Sequence, residues 1–247
     1  MRANAIEFRL RMAISTTIIA LGFWAPWIEP LGLGRRRSVI AWLALGITRM
    51  GVATFGVATT IVIVAGALIA ALAVLLRVWG TAYLGSATVN HARMKAGTVM
   101  ADGPYRYMRN PLYLGSWFMA VAMAFAMPPT GALFALVLLT VFLLRLILGE
   151  EAFLSSQLGE PYRGYLRAVP RLIPRLRGVL PRGVAEPQWG RAVLAELNPI
   201  GVFVALAFFS WSYDNWRIIQ VILISFGVSL VVRAVLPRGT ESATAAA

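Results

Sequence analysis

The chain has 247 residues, of which 59% are hydrophobic and only 13% are charged. Soluble domains carry about 25% charged residues, so this composition predicts a membrane protein. The net charge of +13 is spread between apolar runs, which favours anionic lipid headgroups over nucleic acid as a partner. With no cysteine and one histidine, His91, disulfides and centres built from thiolates or histidines are excluded, and we expect no metal site.

Long apolar runs predict about six transmembrane helices, because a spanning helix needs about 20 mostly apolar residues. The candidate spans are residues 12–28, 52–76, 112–127, 130–148, 199–213 and 217–236. The first is interpreted as a retained N-terminal anchor. Residues 38–48 are too short to span and are expected to form an interfacial or re-entrant helix, and the topology of residues 29–51 stays open. The fold class is therefore an all-α, polytopic membrane protein.

Three regions follow from these spans. Residues 1–76 are expected to hold the N-terminal transmembrane helices, and residues 192–247 a C-terminal transmembrane pair and tail. Between them, residues 77–191 combine a basic loop, a helical hairpin and an amphipathic segment. Arginine and lysine are frequent in segments 77–111 and 149–191 and absent from the hairpin tip at 128–131, so both basic segments are expected to face the cytoplasm.

The first motif is Asp102-Gly-Pro-Tyr-Arg-Tyr-Met-Arg-Asn-Pro-Leu-Tyr-Leu-Gly115. Asn110 followed by proline predicts a helix start, with asparagine as the N-cap and proline at the first helical position. A helix N-terminus beside Arg106 and Arg109 can bind an anion. The alternative is a basic loop at the membrane surface, followed by a well-capped helix.

The second motif begins with the adjacent acids Glu150 and Glu151. At the end of an apolar helix, carboxylates are costly unless they are paired or hydrogen-bonded. Their partners are either nearby arginines or a ligand with cationic and hydroxyl groups. Further on, Tyr162 and Tyr165 recur at helical spacing opposite the arginines, which predicts an amphipathic helix at the membrane surface that ends at Pro170.

Both motifs resemble the signature of the isoprenylcysteine carboxyl methyltransferase and phospholipid methyltransferase superfamily. Its pattern runs Gly-Pro-Tyr, then Arg-His-Pro, then Tyr-x-Gly. The matching positions are Gly103, Pro104, Tyr105, Arg109, Pro111, Tyr113 and Gly115, then 149–151, 158–162, Tyr165, 169–171 and Pro174. The resemblance covers roughly residues 80 to 176. The chain departs from the pattern at Asn110, where the family usually has histidine.

The resemblance implies a site facing the cytoplasm that binds S-adenosylmethionine. The cofactor-binding residues that it implies are Gly103, Pro104, Tyr105, Arg109, Asn110, Tyr113, Gly115, Glu150 and Glu151. It also implies substrate contacts by Tyr162, Tyr165 and Arg171, near a lipid entrance. Because asparagine cannot titrate, Glu151 or Glu150 is the candidate catalytic base if the acceptor is an amine.

The expected function is therefore methyl transfer to a lipid or lipid-linked acceptor in a multi-pass membrane protein. A phospholipid amine, as in phosphatidylethanolamine, is the leading acceptor, and an isoprenylcysteine carboxylate is the alternative. A membrane reductase of the sterol reductase type that uses NADPH, and a non-catalytic lipid-binding relative, also stay open. Neither the lipid nor the oligomeric state is decided by the sequence.

Overall fold

A computed structural model describes residues 2–24, 37–89, 102–175, 180, 183, 185–212 and 215–235, with the backbone alone for 85–89, 210–212, 215–219 and 233. Helices dominate this part of the chain, and it contains no strand. The all-helical fold class is therefore confirmed. The single histidine, His91, lies outside the described residues.

Ten α-helices lie within the described residues. In chain order they are α1 (Ala5–Arg9), α2 (Arg11–Phe23), α3 (Val39–Arg49), α4 (Phe55–Val89), α5 (Pro111–Ala124), α6 (Pro129–Leu158), α7 (Glu160–Ala168), α8 (Trp189–Ala195), α9 (Leu197–Ser212) and α10 (Asn215–Val235). A single 3-10 turn, Gly103–Arg106, precedes α5. Prolines occupy the first positions of α5 and α6, where a missing N–H costs nothing.

Helices α4, α5 and α6 form the centre of the fold. Helix α4 packs along α3, α5 and α9, while α6 packs along α2 and α5. One apolar core joins α2, α5 and α6 around Met127 and Leu146, and another joins α4, α5 and α9 around Ala73 and Val202. Large apolar side chains such as Leu68 and Leu133 remain exposed on the outer faces, as expected of helices that face lipid.

Within the described ranges, two helical segments are long and apolar enough to cross a membrane, Phe55–Leu84 and Pro129–Leu158. A third crossing results if α8 and the first part of α9, which meet at a bend of 69°, count as one span. Helices α2, α3 and α5 are apolar but shorter. Helices capable of spanning a membrane are thus present, and the count of six remains a prediction.

Two helices extend beyond the predicted spans. The span over residues 52–76 continues as helix to Val89, and the span over 130–148 continues through both acids to Leu158. Glu150 and Glu151 therefore lie inside a continuous helix. Because neighbouring residues of a helix point about 100° apart, the two carboxylates face different surroundings.

Candidate functional site

The two sequence motifs lie against each other. The backbone N–H of Arg109 donates to the Pro170 carbonyl at 2.9 Å, and that of Arg175 donates to the Tyr107 carbonyl at 3.2 Å. The Tyr165 hydroxyl donates to the Tyr105 carbonyl at 3.0 Å. These bonds join residues about 60 positions apart in sequence, so the loop before α5 and the segment after α7 form one unit.

Glycine is required at the start of the first motif. Gly103 has φ of +57°, in the left-handed region, and a Cβ atom at this position would overlap the ring of Tyr83. The turn that follows places Pro104 in a buried position and directs Tyr105 inward. The Tyr105 hydroxyl donates to the Gly80 carbonyl of α4 at 3.4 Å.

Asn110 does not cap helix α5 with its side chain. It occupies the N-cap position, but its side chain forms no capping hydrogen bond. Its amide Nδ2 instead donates to the Arg171 carbonyl at 3.1 Å and to Glu151 Oε1 at 3.4 Å. The predicted N-cap position of Asn110 is confirmed, but its side chain bonds a buried carboxylate and a carbonyl instead of capping the helix.

Glu151 lies in a cluster of positive groups. Its side chain is 8% exposed, with Arg109 Nη1 at 3.0 Å from Oε1 and Arg171 Nη2 at 2.8 Å from Oε2. The hydrogen bonds to Glu151 raise the pKa of the Arg171 guanidinium above its usual value. The sequence left two kinds of partner open for the acidic pair, nearby arginines or a ligand. For Glu151 the partners are arginines.

Glu150 has a different environment. Its Oε2 accepts a hydrogen bond of 2.9 Å from the Tyr113 hydroxyl on α5. The side chain lines a cavity of about 160 Å³ between the end of α4, the start of α5 and the end of α6. All three helix ends lie on the same side of the fold, next to both basic segments.

Eight of the twelve predicted site residues line this cavity: Tyr105, Arg109, Asn110, Tyr113, Glu150, Glu151, Tyr162 and Tyr165. Gly103, Pro104, Gly115 and Arg171 do not. Gly115 lies where α5 crosses α4, and a Cβ there would be 2.6 Å from Arg77 Cγ. Its position is explained by close helix packing. Arg171 contacts two lining residues, Glu151 through an ion pair and Asn110 through its carbonyl oxygen.

Other lining residues were not predicted from the sequence: Tyr83, Leu84, Asp102, Leu112, Leu154, Leu158 and Ala185. Leu154 and Leu158 follow Glu151 by three and seven residues, the spacing of one helix face, so this signal was present. Asp102 is buried and accepts from the backbone N–H groups of Gly183 at 2.6 Å and Ala185 at 3.2 Å. Nothing in the sequence pattern indicated that these distant residues meet.

Three of the tyrosines around the cavity, Tyr105, Tyr162 and Tyr165, are held neutral. Burial raises the pKa of Tyr162 to about 12, with the charges of Glu151 and Glu150 adding to the effect. Burial also raises the pKa of Tyr105 and of Tyr165 above the usual value of 10. Near neutral pH these side chains therefore keep their hydroxyl protons and offer ring faces and hydrogen-bond donors.

Helix α7 is amphipathic as expected. Tyr162 and Tyr165 are buried, while the side chains of Arg163 and Arg167 are 61% and 69% exposed. The buried face packs on Leu154, Leu158 and Leu180, so it covers the end of α6. The helix ends at Ala168, before Pro170. It thus forms one wall of the cavity.

Comparison with known proteins identifies the central part of the chain. Residues 61–161 match the model of the phospholipid methyltransferase family. The chain is 43% identical over 70 residues to a methanethiol S-methyltransferase of Crocosphaera subtropica, covering 28% of this chain and 27% of that protein. It is 38% identical over 84 residues to a protein-S-isoprenylcysteine O-methyltransferase of Schizosaccharomyces pombe, covering 33% of this chain and 35% of that protein.

These matches confirm the resemblance seen in the sequence. They extend over about a third of the length of the curated relatives, and the family match ends before most of α7. No solved structure matches the chain.

Proposed function

From the phospholipid methyltransferase family region that the chain carries at residues 61–161, we propose that the protein transfers a methyl group from S-adenosylmethionine to a lipid or lipid-linked acceptor. The observation that carries the proposal is Glu150, a carboxylate with one neutral donor, on the wall of a cavity lined with tyrosines. Both named relatives are methyltransferases as well.

The polar groups of the cavity fit this cofactor. Glu150 can bind a cationic group such as an α-amino group or sulfonium, and Asp102 can accept from hydroxyls. Arg109 lines the cavity, and its Nε is buried without a hydrogen-bond partner in the described part of the chain. This donor suits a carboxylate or carbonyl oxygen. The rings of Tyr105 and Tyr162 suit an adenine. When bound, S-adenosylmethionine supplies a methyl carbon that its sulfonium activates for direct displacement.

We propose an amine headgroup, as in phosphatidylethanolamine, as the acceptor. Of the carboxylates in the lining, Glu151 is paired with Arg109 and Arg171, whereas the described partner of Glu150 is the neutral Tyr113 hydroxyl. An incoming ammonium group is therefore stabilised beside Glu150. Glu150 is the candidate base. It accepts a proton from the ammonium, whose freed lone pair forms the new bond to the methyl carbon as the carbon–sulfur bond breaks.

In this proposal Glu151 is a positioning residue. Its two oxygens already receive hydrogen bonds from Arg171 and Asn110 and form an ion pair with Arg109, so a proton or a ligand would have to displace existing partners. The cluster fixes the loop before α5 against the segment after α7. We further propose that these segments face the cytoplasm, as their arginine content favours, and that the acceptor enters from the bilayer.

The test is transfer of radiolabelled methyl from S-adenosylmethionine by the purified protein in nanodiscs. Phosphatidylethanolamine, an isoprenylcysteine and a short-chain thiol are offered separately. Label in mono- or dimethylated phosphatidylethanolamine, lost in Glu150→Gln and retained in the exposed control Glu186→Gln, is the expected result. Label in the carboxylate or thiol alone would overturn the choice of acceptor. No label in any acceptor, with no binding of S-adenosylhomocysteine, would overturn the proposed activity.

A further inference from the structure

We infer that a segment outside the family match, Gly183 with residues 185–196, contributes Ala185 to the wall of the cofactor cavity, and that the Arg77–Glu196 ion pair positions the segment. We call this segment the C-terminal clasp. The inference rests on the proposed function, because it assigns the cavity to a cofactor. Three separate attachments hold the clasp to the elements that form the cavity.

The first attachment is at the cavity itself. The carboxylate of Asp102 accepts from the N–H groups of Gly183 and Ala185 at 2.6 and 3.2 Å. A Cβ at position 183 would overlap this carboxylate, so glycine is needed for the approach. Both Asp102 and Ala185 line the cavity. The clasp thus contributes a surface that a bound ligand would touch.

The second attachment joins the clasp to α4. The backbone N–H of Gln188 donates to the Ala82 carbonyl at 2.9 Å. Ala82 precedes Tyr83 and Leu84, two residues of the cavity wall. Helix α8 packs along the same part of α4, with Ala192 fully buried. This contact fixes the distance between the clasp and that wall.

The third attachment is a partly buried ion pair. The Glu196 side chain is 5% exposed, and its Oε2 lies 2.6 Å from Arg77 Nε. Its Oε1 accepts from Arg77 Nη2 at 3.1 Å and from the Thr81 hydroxyl at 2.7 Å. Arg77 also donates to Ser116 on α5. Glu196 lies at the 69° bend between α8 and α9. The ion pair therefore fixes the position of the C-terminal end of the clasp relative to α4.

The ion pair also lies directly behind the cavity wall. Arg77 donates to the carbonyl of Leu112, a lining residue, at 3.5 Å. One turn along α4, the Gly80 carbonyl accepts from the Tyr105 hydroxyl. Removing Glu196 would leave the partly buried Arg77 cation without its counter-ion, which favours a local rearrangement. Such a movement would displace both the clasp and the wall.

A labelling experiment tests the clasp without the cofactor. Since the chain has no cysteine, Ala185→Cys gives a single reactive thiol on the cavity wall. We expect slow reaction with a water-soluble maleimide in the intact protein, and a reaction about tenfold faster when Glu196→Ala is added, since an unpaired buried charge opens the local structure. The matched control is Glu186→Ala, an exposed acid of the same segment, which should leave the rate unchanged.

A binding experiment tests the assignment to the cofactor. Ala185→Phe should weaken binding of S-adenosylhomocysteine by about tenfold or more, since a ring in the cavity displaces the ligand. Glu196→Ala should raise the cofactor KM by about 10- to 100-fold, because misplacement of a supporting element costs this much, with a smaller effect on kcat. Restoring the pair in reverse, as Arg77→Glu with Glu196→Arg, should recover part of the affinity.

The outcomes separate this inference from the proposed function. If the unmodified protein fails to bind S-adenosylhomocysteine, the proposed function is wrong, while the labelling rates still show whether the ion pair positions the clasp. If the unmodified protein binds and Ala185→Phe binds equally well, the clasp is not a wall of the cofactor site. Equal labelling rates with and without Glu196 would exclude a positioning role. Should Glu196→Ala fail to fold, Ala185→Phe carries the test.

Discussion

The two neighbouring acids of α6 belong to regions that are built in opposite ways. Around Glu151, two arginines and one amide converge on a carboxylate that is 8% exposed. Around Glu150, the described partner is a single neutral hydroxyl on Tyr113, and the carboxylate lines the cavity. One step along a helix thus separates an acid that joins two segments from an acid that a ligand can reach.

This difference shows that adjacent residues of one sequence motif can have separate roles, one in stability and one in binding. A carboxylate with a full set of charged donors stabilises the fold, because its charge is already compensated. A carboxylate with one weak donor keeps affinity for an incoming cation. We therefore expect substitutions at Glu151 to act mainly on stability and substitutions at Glu150 mainly on binding and turnover.

The largest expected effect is that of Glu151→Ala. Removing this acid leaves the Arg109 and Arg171 cations without a counter-charge, which costs about 3–5 kcal/mol for a buried pair. The side chain of Arg171 is 42% exposed, so the loss should lie at the lower end of this range. Thermal unfolding in detergent measures it. The double variant Glu151→Ala with Arg109→Met is the control, and it should be more stable than the single variant.

The next effect is that of Glu150→Gln. Methyl transfer should fall by about 100-fold or more, as is typical when a general base is removed, with the thermal midpoint nearly unchanged. Steady-state kinetics and unfolding curves on the same preparation check both parts. A large loss of stability with normal turnover would mean that the roles of the two acids are reversed.

A smaller effect is expected for Tyr113→Phe. This change removes the one hydrogen bond to Glu150 and keeps the ring, so it should change ligand binding by about 0.5–1.5 kcal/mol, or up to roughly tenfold. Equilibrium binding of S-adenosylhomocysteine measures the change. Tyr107→Phe, at a tyrosine outside the cavity lining, serves as the comparison and should bind as the unmodified protein does.

The smallest effect concerns alkaline pH. Burial raises the pKa of Tyr162 from 10 to about 12 in the folded protein, so the neutral phenol is favoured there. Its contribution to stability is fully present below pH 10 and is lost as pH rises from 10 to about 12. Tyr162→Phe should therefore show a shallower fall of the thermal midpoint in this interval. Identical slopes in both proteins would contradict the burial of this hydroxyl.

Local features of the site could be predicted from the sequence. The start of α5 at Pro111, the buried face of α7 and the meeting of the two motifs all follow from spacing and helix signals. The partners of the polar groups could not be predicted. Arg77 and Glu196 are 119 residues apart, and neither lies in the motifs. The Asn110 side chain could have capped helix α5, but its amide instead donates to Glu151, a residue distant in sequence.

Membrane topology illustrates the same limit. Composition shows that α4 and α6 can cross a bilayer, because their apolar character is summed over many residues. Whether the shorter helices α2, α3 and α5 cross the bilayer depends on the helices packed against them and on the membrane itself. Hydropathy alone could not distinguish a short span from a helix that packs inside the bundle. The short helix expected over residues 38–48 is present as α3, which is 11 residues long.

The most direct test is equilibrium binding of radiolabelled S-adenosylmethionine to the purified protein in nanodiscs, with the unmodified protein, Glu150→Gln and Glu186→Gln measured together. We predict saturable binding by the unmodified protein and by Glu186→Gln, with a Kd raised by about tenfold or more in Glu150→Gln, the loss expected when a charge-assisted contact is removed. Absence of binding by the unmodified protein, or equal affinity in all three, would contradict the assignment of this cavity to the cofactor.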